Sequence, residues 1–336
     1  MNIVSKRVLI VTRDWGSTAG FNLELVACIK EYCGTENVVH SVIGNSDNVY
    51  SFVLKQLHMY NFDFLIIDSR VCVIDAKMPH LFNHLKEMRM LNELCKKNNT
   101  IPICIVTDPL LPGFAIMADL LTYKSGLVVP ITASIPFSRF LGRKSTPALG
   151  TPLSIKTFNS VKRYSSNEPK PFDLYLGGSL YEPRKSYFEK TLSILKSEKI
   201  EIHFSPKQTN SYKDYLNDLS SSKMVLTTNF LQKPGSKKLH LLGRSLETLY
   251  VGSLLFAQST PDLVRTFTEF EDFIPVDDPV DAAEKILFYQ KNFEKAAQIA
   301  GNGHRKAAAW VNSQYFFDEV DKALTSSGLH ALIKAG

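Results

Sequence analysis

Short apolar runs alternate with amphipathic stretches along the whole chain. RVLIVT at 7–12, VVHSVI at 38–43, FDFLIIDS at 62–69 and IPICIVTD at 101–108 predict strands, and helical spacing at 21–32, 48–60 and 79–97 predicts helices between them. The runs at 62–69 and 101–108 are apolar without alternation, as strands buried on both faces of a parallel sheet require. The pattern resumes after a stretch at 139–171, rich in Ser, Thr and Pro, which reads as a loop or linker. FDLYLGG at 172–178, IEIHFS at 200–205, KMVLTT at 223–228 and SLLFAQ at 253–258 predict further strands, with helices at 181–198 and 238–251. Long helices at 280–300 and 304–324 close the chain. Repeated βα units of this kind predict an α/β protein of two Rossmann-like, doubly wound domains. A ligand is then expected in the cleft between the carboxyl ends of the two sheets.

The length of 336 residues suits two domains with a core each. A hydrophobic content of 44% beside 21% charged residues excludes wholesale disorder. No run reaches the ~18 apolar residues of a membrane span, and the apolar run after Lys6 and Arg7 reads as a strand rather than a leader. A soluble, cytoplasmic protein without membrane partners is expected. Cys28, Cys33, Cys72, Cys95 and Cys104 form no CxxC pair, which argues for reduced, mostly buried thiols rather than disulfides or a zinc site. His80 and His84 are spaced for one helix face, but HLFNH lacks the Glu of HExxH, so no protein metal site is expected there.

The net charge of +6 is uneven. From Leu120 to Asn167 there is no Asp or Glu, while Lys124, Arg139, Arg143, Lys144, Lys156, Lys162 and Arg163 fall in that stretch. Such a segment suits a polyanionic partner, and equally a solvated basic loop.

Three constellations carry candidate chemistry. GGSLYEPRK at 177–185 lies where a strand gives way to a helix. Paired glycines allow close backbone approach, and the helix start offers N–H groups to a phosphate. Arg184 and Lys185 in the first turn oppose the helix dipole, which suggests a bound anion; the alternative is an ordinary turn with a surface arginine. In GRSLETLYVGS at 243–253, Leu242, Leu246 and Leu249 mark the core side, with Arg244 and Glu247 opposite. Arginine suits a diphosphate and a carboxylate suits paired ribose hydroxyls, although the spacing fits an exposed salt bridge as well. Asp108 ends a buried strand, where a dry site favours a general base and an Asx turn before Pro is the alternative. Asp68, on the neighbouring strand, is the competing carboxylate.

TDPLLPGF, a basic linker, DLYLGGS with a following Arg, RSLET and a helical tail occur in an order that resembles the bacteriophage DNA β-glucosyltransferases, enzymes of the GT-B fold. The likeness covers about 62–114 and 172–324. It implies inverting transfer of glucose from UDP-glucose to the hydroxyl of 5-hydroxymethylcytosine in double-stranded DNA, with the target base flipped out of the stack. Asp108 would be the catalytic base. Gly178, Ser179 and Arg184 would bind the diphosphate, and Arg244 and Glu247 the phosphate and ribose. Arg143, Lys144, Lys162 and Arg163 would hold DNA, a divalent cation such as Mg or Mn would accompany the donor, and the protein would act as a monomer. The implied division is an acceptor domain at 1–165, a nucleotide-sugar domain at 166–311, and a helix at 312–336 packing back on the first.

Three features depart from the family. Tyr181 stands where the family has the first of two arginines, and family acids that touch the donor sugar fall near Asn22 and Asn229. Leu239 occupies the place of a second Glu found in many retaining GT-B enzymes, which favours inversion. Two other functions compete with DNA glucosylation: a GT-B enzyme acting on a glycan, protein or small molecule, and a two-lobed binding protein without catalysis.

Overall fold

The computed structural model describes residues 6–13, 20–44, 49–68, 78–106, 126–131, 146, 149–162, 164, 169–178, 180–205, 211–230, 241–310 and 312–329. The chain divides into two compact units, Met1–Ile155 with Asn312–Gly336, and Lys156–Val311.

In the first unit, strands β1 (Val8–Arg13), β2 (Val38–Ile43), β3 (Phe64–Asp68), β4 (Ile101–Val106) and β5 (Leu127–Pro130) form a parallel sheet in the order β2-β1-β3-β4-β5. Every residue of β3 and β4 is buried, which is why both read as unbroken apolar runs. Side chains alternate between two cores. Val8, Ile10, Phe64 and Ile66 pack with Leu25 and Ile29 of helix α1 (Gly20–Cys33). Leu9, Val11, Leu65 and Ile67 pack with Val53 and Leu57 of α2 (Val49–Met59) and with Met88 and Leu91 of α3 (Met78–Lys97). The last described helix, Ser313–Ser326, returns to the first core through Phe316, Phe317, Val320 and Leu324, with Phe317 stacked on Tyr32 at 4.6 Å. Cys28, Cys33, Cys95 and Cys104 are buried free thiols. Cys72 lies outside the described residues, as do the side chains of His80 and His84.

Short helix α4 (Ile155–Ser160) leads into the second unit. There β6 (Phe172–Gly177), β7 (Ile202–Ser205), β8 (Ser222–Leu226), β9 (Leu254–Ala257) and β10 (Ile274–Pro275) form a parallel sheet in the order β10-β9-β8-β6-β7. Counted from its own first strand, this is the order of the first sheet. In both, chain direction across the sheet reverses between the first and third strands: β1 and β3, then β6 and β8. Open α/β sheets bind ligands outside the carboxyl ends of the strands at that reversal. The helices are α5 (Arg184–Leu195), α6 (Tyr212–Ser220), α7 (Gly243–Val251), α8 (Pro261–Val264), α9 (Pro279–Lys291) and α10 (Phe293–Trp310). Phe188 of α5 and Ile286 of α9 join Leu174, Leu176, Met224 and Phe256 in one core.

Two expectations change. The stretch at 139–171 is not wholly a linker: α4 forms within it, Phe158 meets the Tyr250 ring at 4.6 Å, and the Lys162 N–H donates to Asn217 Oδ1 at 2.9 Å. The closing helices break elsewhere than expected, at Asn292, and again where Asn312 caps the last helix by accepting from the Tyr315 N–H. Gly301 and Gly303, which fall in the expected gap between the two helices, lie inside α10. A Cβ at Gly303 would collide with the Asp272 carbonyl oxygen and lie 2.7 Å from Leu249 Cδ2, so this glycine marks a close approach of backbone to backbone. An Ala for Gly exchange in a helix ordinarily stabilises by about 1 kcal/mol. Here Gly303→Ala is expected to destabilise by about 1–3 kcal/mol, the cost of overpacking, measured as a lower denaturant midpoint at unchanged slope.

Candidate functional site

The motif residues of the second unit gather at the reversal between β6 and β8. Gly177 ends β6, and Thr227 and Thr228 continue the chain from β8. Arg184, in the first turn of α5 and only 4% exposed, donates from Nε to Thr228 Oγ1 at 2.9 Å and from Nη2 to the Thr228 carbonyl at 3.3 Å. Its guanidinium lies 4.4 Å from the centre of the Tyr181 ring, so the residue that stands in place of an arginine supports the one that remains. Arg244, in the first turn of α7, donates from Nη1 to the Gly177 carbonyl and from Nε to Tyr215 Oη at 3.1 Å. Burial, and then the neighbouring Arg244, pull the Arg184 guanidinium down to about 10. It stays protonated at neutral pH, but the fold holds two cations close together at a cost that an anion would relieve.

Gly178 adopts φ +100°, and a Cβ there would sit 2.7 Å from Arg244 Cζ. A Cβ on Gly177 would strike the Tyr175 ring, whose Cζ is 2.5 Å away. The paired glycines thus make room for Tyr175 and Arg244, where the sequence suggested room for a ligand. Ser179 lies outside the described residues.

Arg244 and Glu247 do not form an exposed salt bridge with each other. Tyr215 Oη stands between them, accepting from Arg244 Nε and donating to Glu247 Oε2 at 2.8 Å. Tyr212 Oη donates to Glu247 Oε1 at 2.7 Å. Burial first, and then the Glu247 charge, push the Tyr215 phenol well above its usual range, so it remains a donor. The core side of α7 is formed by Ser245, Leu246, Thr248, Leu249 and Tyr250, while Leu242 is the partly exposed N-cap residue.

The basic first turn of α5 has a partial explanation within the protein. The Glu182 carboxylate accepts from the Ser186 N–H at 3.4 Å and Oγ at 2.6 Å, and Lys185 reaches Glu189 at 3.9 Å. Asn229 needs a correction: it is fully buried, donating from Nδ2 to the Gln258 carbonyl at 2.7 Å and accepting from Ser245 Oγ at 3.1 Å. Its amide ties the end of β8 to α7 and β9 instead of facing a donor sugar. Asn22 falls in the first turn of α1, and its side chain is outside the described residues.

Asp108, Arg143, Lys144 and Arg163 also lie outside the described residues. Lys162 is exposed, with Nζ 4.2 Å from the centre of the Tyr164 ring. Asp68 is 3% exposed at the carboxyl end of β3, beside the reversal of the first sheet.

Among the described residues, no three His, Cys, Asp or Glu side chains converge on a metal position. At the site itself Glu247 is turned to two tyrosine hydroxyls, and the positive charge comes from Arg184 and Arg244. The described residues therefore do not fit the divalent cation that the resemblance implied. Among them, no helix is long and apolar enough to cross a membrane. A cavity of about 580 Å³ opens at the opposite, amino end of the same sheet, lined by Lys170, Met224, Tyr289, Phe293 and His304. Lys170 Nζ there donates to the Ser222 and Gly252 carbonyls and to Ser253 Oγ, and burial pulls it down to about 8. Arg184, Arg244 and Glu247 do not line that cavity.

Tyr175, Tyr212 and Tyr215 were not singled out from sequence. The signal for α6 was present in Ser211 and Asp214, whose reciprocal hydrogen bonds cap that helix and set Tyr212 and Tyr215 toward Glu247.

Comparison with known proteins bears on this arrangement. Residues 173–319 match the family model described as glycosyl transferase-like. A search of curated proteins gives no match. Among solved structures, the chain is similar to Anabaena Alr3699/HepE in complex with UDP and glucose, at 13% identity and TM-score 0.61 over 96% of this chain and 100% of that one. It is similar to a glycosyltransferase from Rickettsia africae ESF-5 at 11% identity and TM-score 0.61, over 96% and 98%. It is also similar to AviGT4, a glycosyltransferase involved in avilamycin A biosynthesis, at 12% identity and TM-score 0.54, over 96% and 98%. At such identities it is the fold that is shared. The chain has the GT-B fold of glycosyltransferases, and the stretch that matches the glycosyl transferase-like model takes in most of its second unit.

Proposed function

We propose that the protein is a UDP-sugar-dependent, inverting glycosyltransferase whose donor binds at the β6–β8 reversal of the second unit. The observation that carries this is the meeting there of Arg184 and Arg244 with Glu247 held close by, cations for a diphosphate and a carboxylate for a ribose. UDP and UDP-glucose complexes of the Anabaena protein of like fold support a uridine diphosphate sugar, with glucose as the first sugar to test. Gly178 and Ser179 would supply backbone contacts to the diphosphate, and Asn22, by the resemblance, would belong to the donor-binding set.

In the reaction, an acceptor hydroxyl attacks the anomeric carbon, the bond from that carbon to the UDP oxygen breaks, and the configuration inverts. Asp108 takes the hydroxyl proton. The negative charge developing on the departing diphosphate is met by Arg184 and Arg244, which are already oriented by Thr228, Gly177 and Tyr215.

The acceptor we favour is the hydroxymethyl group of a modified pyrimidine, 5-hydroxymethylcytosine first, in double-stranded DNA. Its support is the acid-free segment from Leu120 to Asn167 and the order of motifs. A base in duplex must leave the stack to react. Neutralising Arg143, Lys144, Lys162 and Arg163 together is expected to weaken DNA binding and flatten its salt dependence, by roughly 0.9 in slope for each phosphate left without its cation. An unchanged slope would assign these charges to solvent. A non-DNA acceptor is the second reading, favoured by AviGT4, a protein of this fold tied to avilamycin A biosynthesis. Incubating hydroxymethylated and unmodified DNA with a panel of UDP-sugars, followed by nucleoside mass spectrometry, separates the two. A hexosylated hydroxymethylpyrimidine is expected; hydrolysis of UDP-sugar without a modified nucleoside would direct the search to other acceptors.

A further inference from the structure

We propose that Tyr215 is a positioning residue that makes diphosphate and ribose recognition one unit, with Tyr212 as its partner on the ribose side. This rests on the donor-site assignment above and deepens it. Arg244 and Glu247 are three residues apart on α7, and nothing in that spacing fixes their side chains toward one ligand. The fixing groups come from α6. Tyr215, 5% exposed, has one hydroxyl hydrogen and accepting lone pairs, and uses both sides. It accepts from Arg244 Nε at 3.1 Å and donates to Glu247 Oε2 at 2.8 Å. Tyr212 holds the other carboxylate oxygen, Oε1, at 2.7 Å, and the two rings lie 5.9 Å apart on one face of α6.

The consequence for Arg244 is geometric. With Nε on Tyr215 and Nη1 on the Gly177 carbonyl, the guanidinium plane is set from two sides, and Nη2 is left to complete a fork toward phosphate oxygens. For Glu247 the two phenols set the carboxylate plane, and with it the orientation that the donor-site assignment gives toward the paired hydroxyls of a ribose. A ligand carrying both a diphosphate and a ribose meets two groups whose separation is already set by one hydroxyl.

The test is titration of UDP, 2′,3′-dideoxy-UDP and inorganic pyrophosphate into the full chain and its Tyr215→Phe and Tyr212→Phe variants. Wild type should prefer UDP over the dideoxy nucleotide. Tyr215→Phe should weaken UDP about tenfold, the scale of a buried group left without its hydrogen-bond partner. It should also weaken pyrophosphate and reduce the preference for UDP over dideoxy-UDP. Tyr212→Phe should reduce that preference without affecting pyrophosphate, and it keeps the proposal testable if the Tyr215 variant does not fold. A purely structural role would lower both nucleotides alike and leave their ratio unchanged. An unchanged ratio in variants that bind UDP overturns the proposal, whereas absence of UDP binding by wild type overturns the donor site itself.

Discussion

Replacing Asp108 with Asn is expected to lower turnover by about 10²–10⁴-fold, the usual worth of a general base, while UDP affinity stays at the wild-type value. A primary hydroxyl is a poor nucleophile at neutral pH, so its proton must leave as the oxygen approaches the anomeric carbon. The exchange keeps the size of the side chain and removes its basicity. In the sequence Asp108 stands two residues after the last residue of β4, and it is assigned no contact to the donor. Turnover is to be measured on saturating acceptor and UDP affinity by calorimetry. Near-normal turnover in Asp108→Asn would transfer the role to Asp68, which is buried at the carboxyl end of the adjacent strand β3. Asp68→Asn is therefore the natural companion variant.

Arg184→Ala and Arg244→Ala are each expected to weaken UDP by about 2–4 kcal/mol, roughly 30- to 1000-fold, as for truncation of one member of a desolvated charge pair. The two variants should differ in their effect on the protein itself. Arg184 carries a charge that burial and Arg244 both disfavour, so removing it relieves an electrostatic cost and offsets part of the missing packing. Arg244→Ala instead strips Tyr215 of its donor and opens the space beside Gly178. Arg184→Lys should not restore affinity, because Nε and Nη2 hold Thr228 as a fork that an ammonium cannot reproduce. UDP titrations of the single variants, paired with denaturant unfolding, would expose any disagreement with this pattern. Equal UDP affinity in Arg184→Ala and wild type would remove Arg184 from the donor site.

The strands and the longer helices were legible because burial on both faces of β3 and β4, and on one face of α2 and α3, leaves its period in the sequence. Strand β5 was missed. It has four residues, and its apolar core Leu127–Val129 is too short to stand out inside a basic segment. Helix α6 was missed because YKDYLNDLS is mostly polar and its order comes from the Ser211–Asp214 cap. The break expected at 301–303 fell elsewhere: the helix continues through Gly301 and Gly303, and Gly303 serves its close approach to the Asp272 carbonyl. At the candidate site, Arg184 was found from its position at a helix start, and Arg244 and Glu247 from their spacing on one helix opposite its expected core side. The tyrosines that join them were not, since Tyr215 and Glu247 are 32 residues apart and only the fold brings α6 against α7. Asn229 misled because it was placed by the resemblance alone, where a residue aligned near a sugar-binding acid can instead tie the end of β8 to α7 and β9 inside the core.

The central claim is that the second unit binds a uridine diphosphate through two arginines at the β6–β8 reversal. Its most direct test is a calorimetric titration of UDP into the full chain beside the Arg184→Ala/Arg244→Ala double variant, with unfolding of both monitored. The account predicts saturable binding at one site in the wild type and none in a folded double variant. Failure of the wild type to bind UDP, or undiminished binding by the folded double variant, would contradict it.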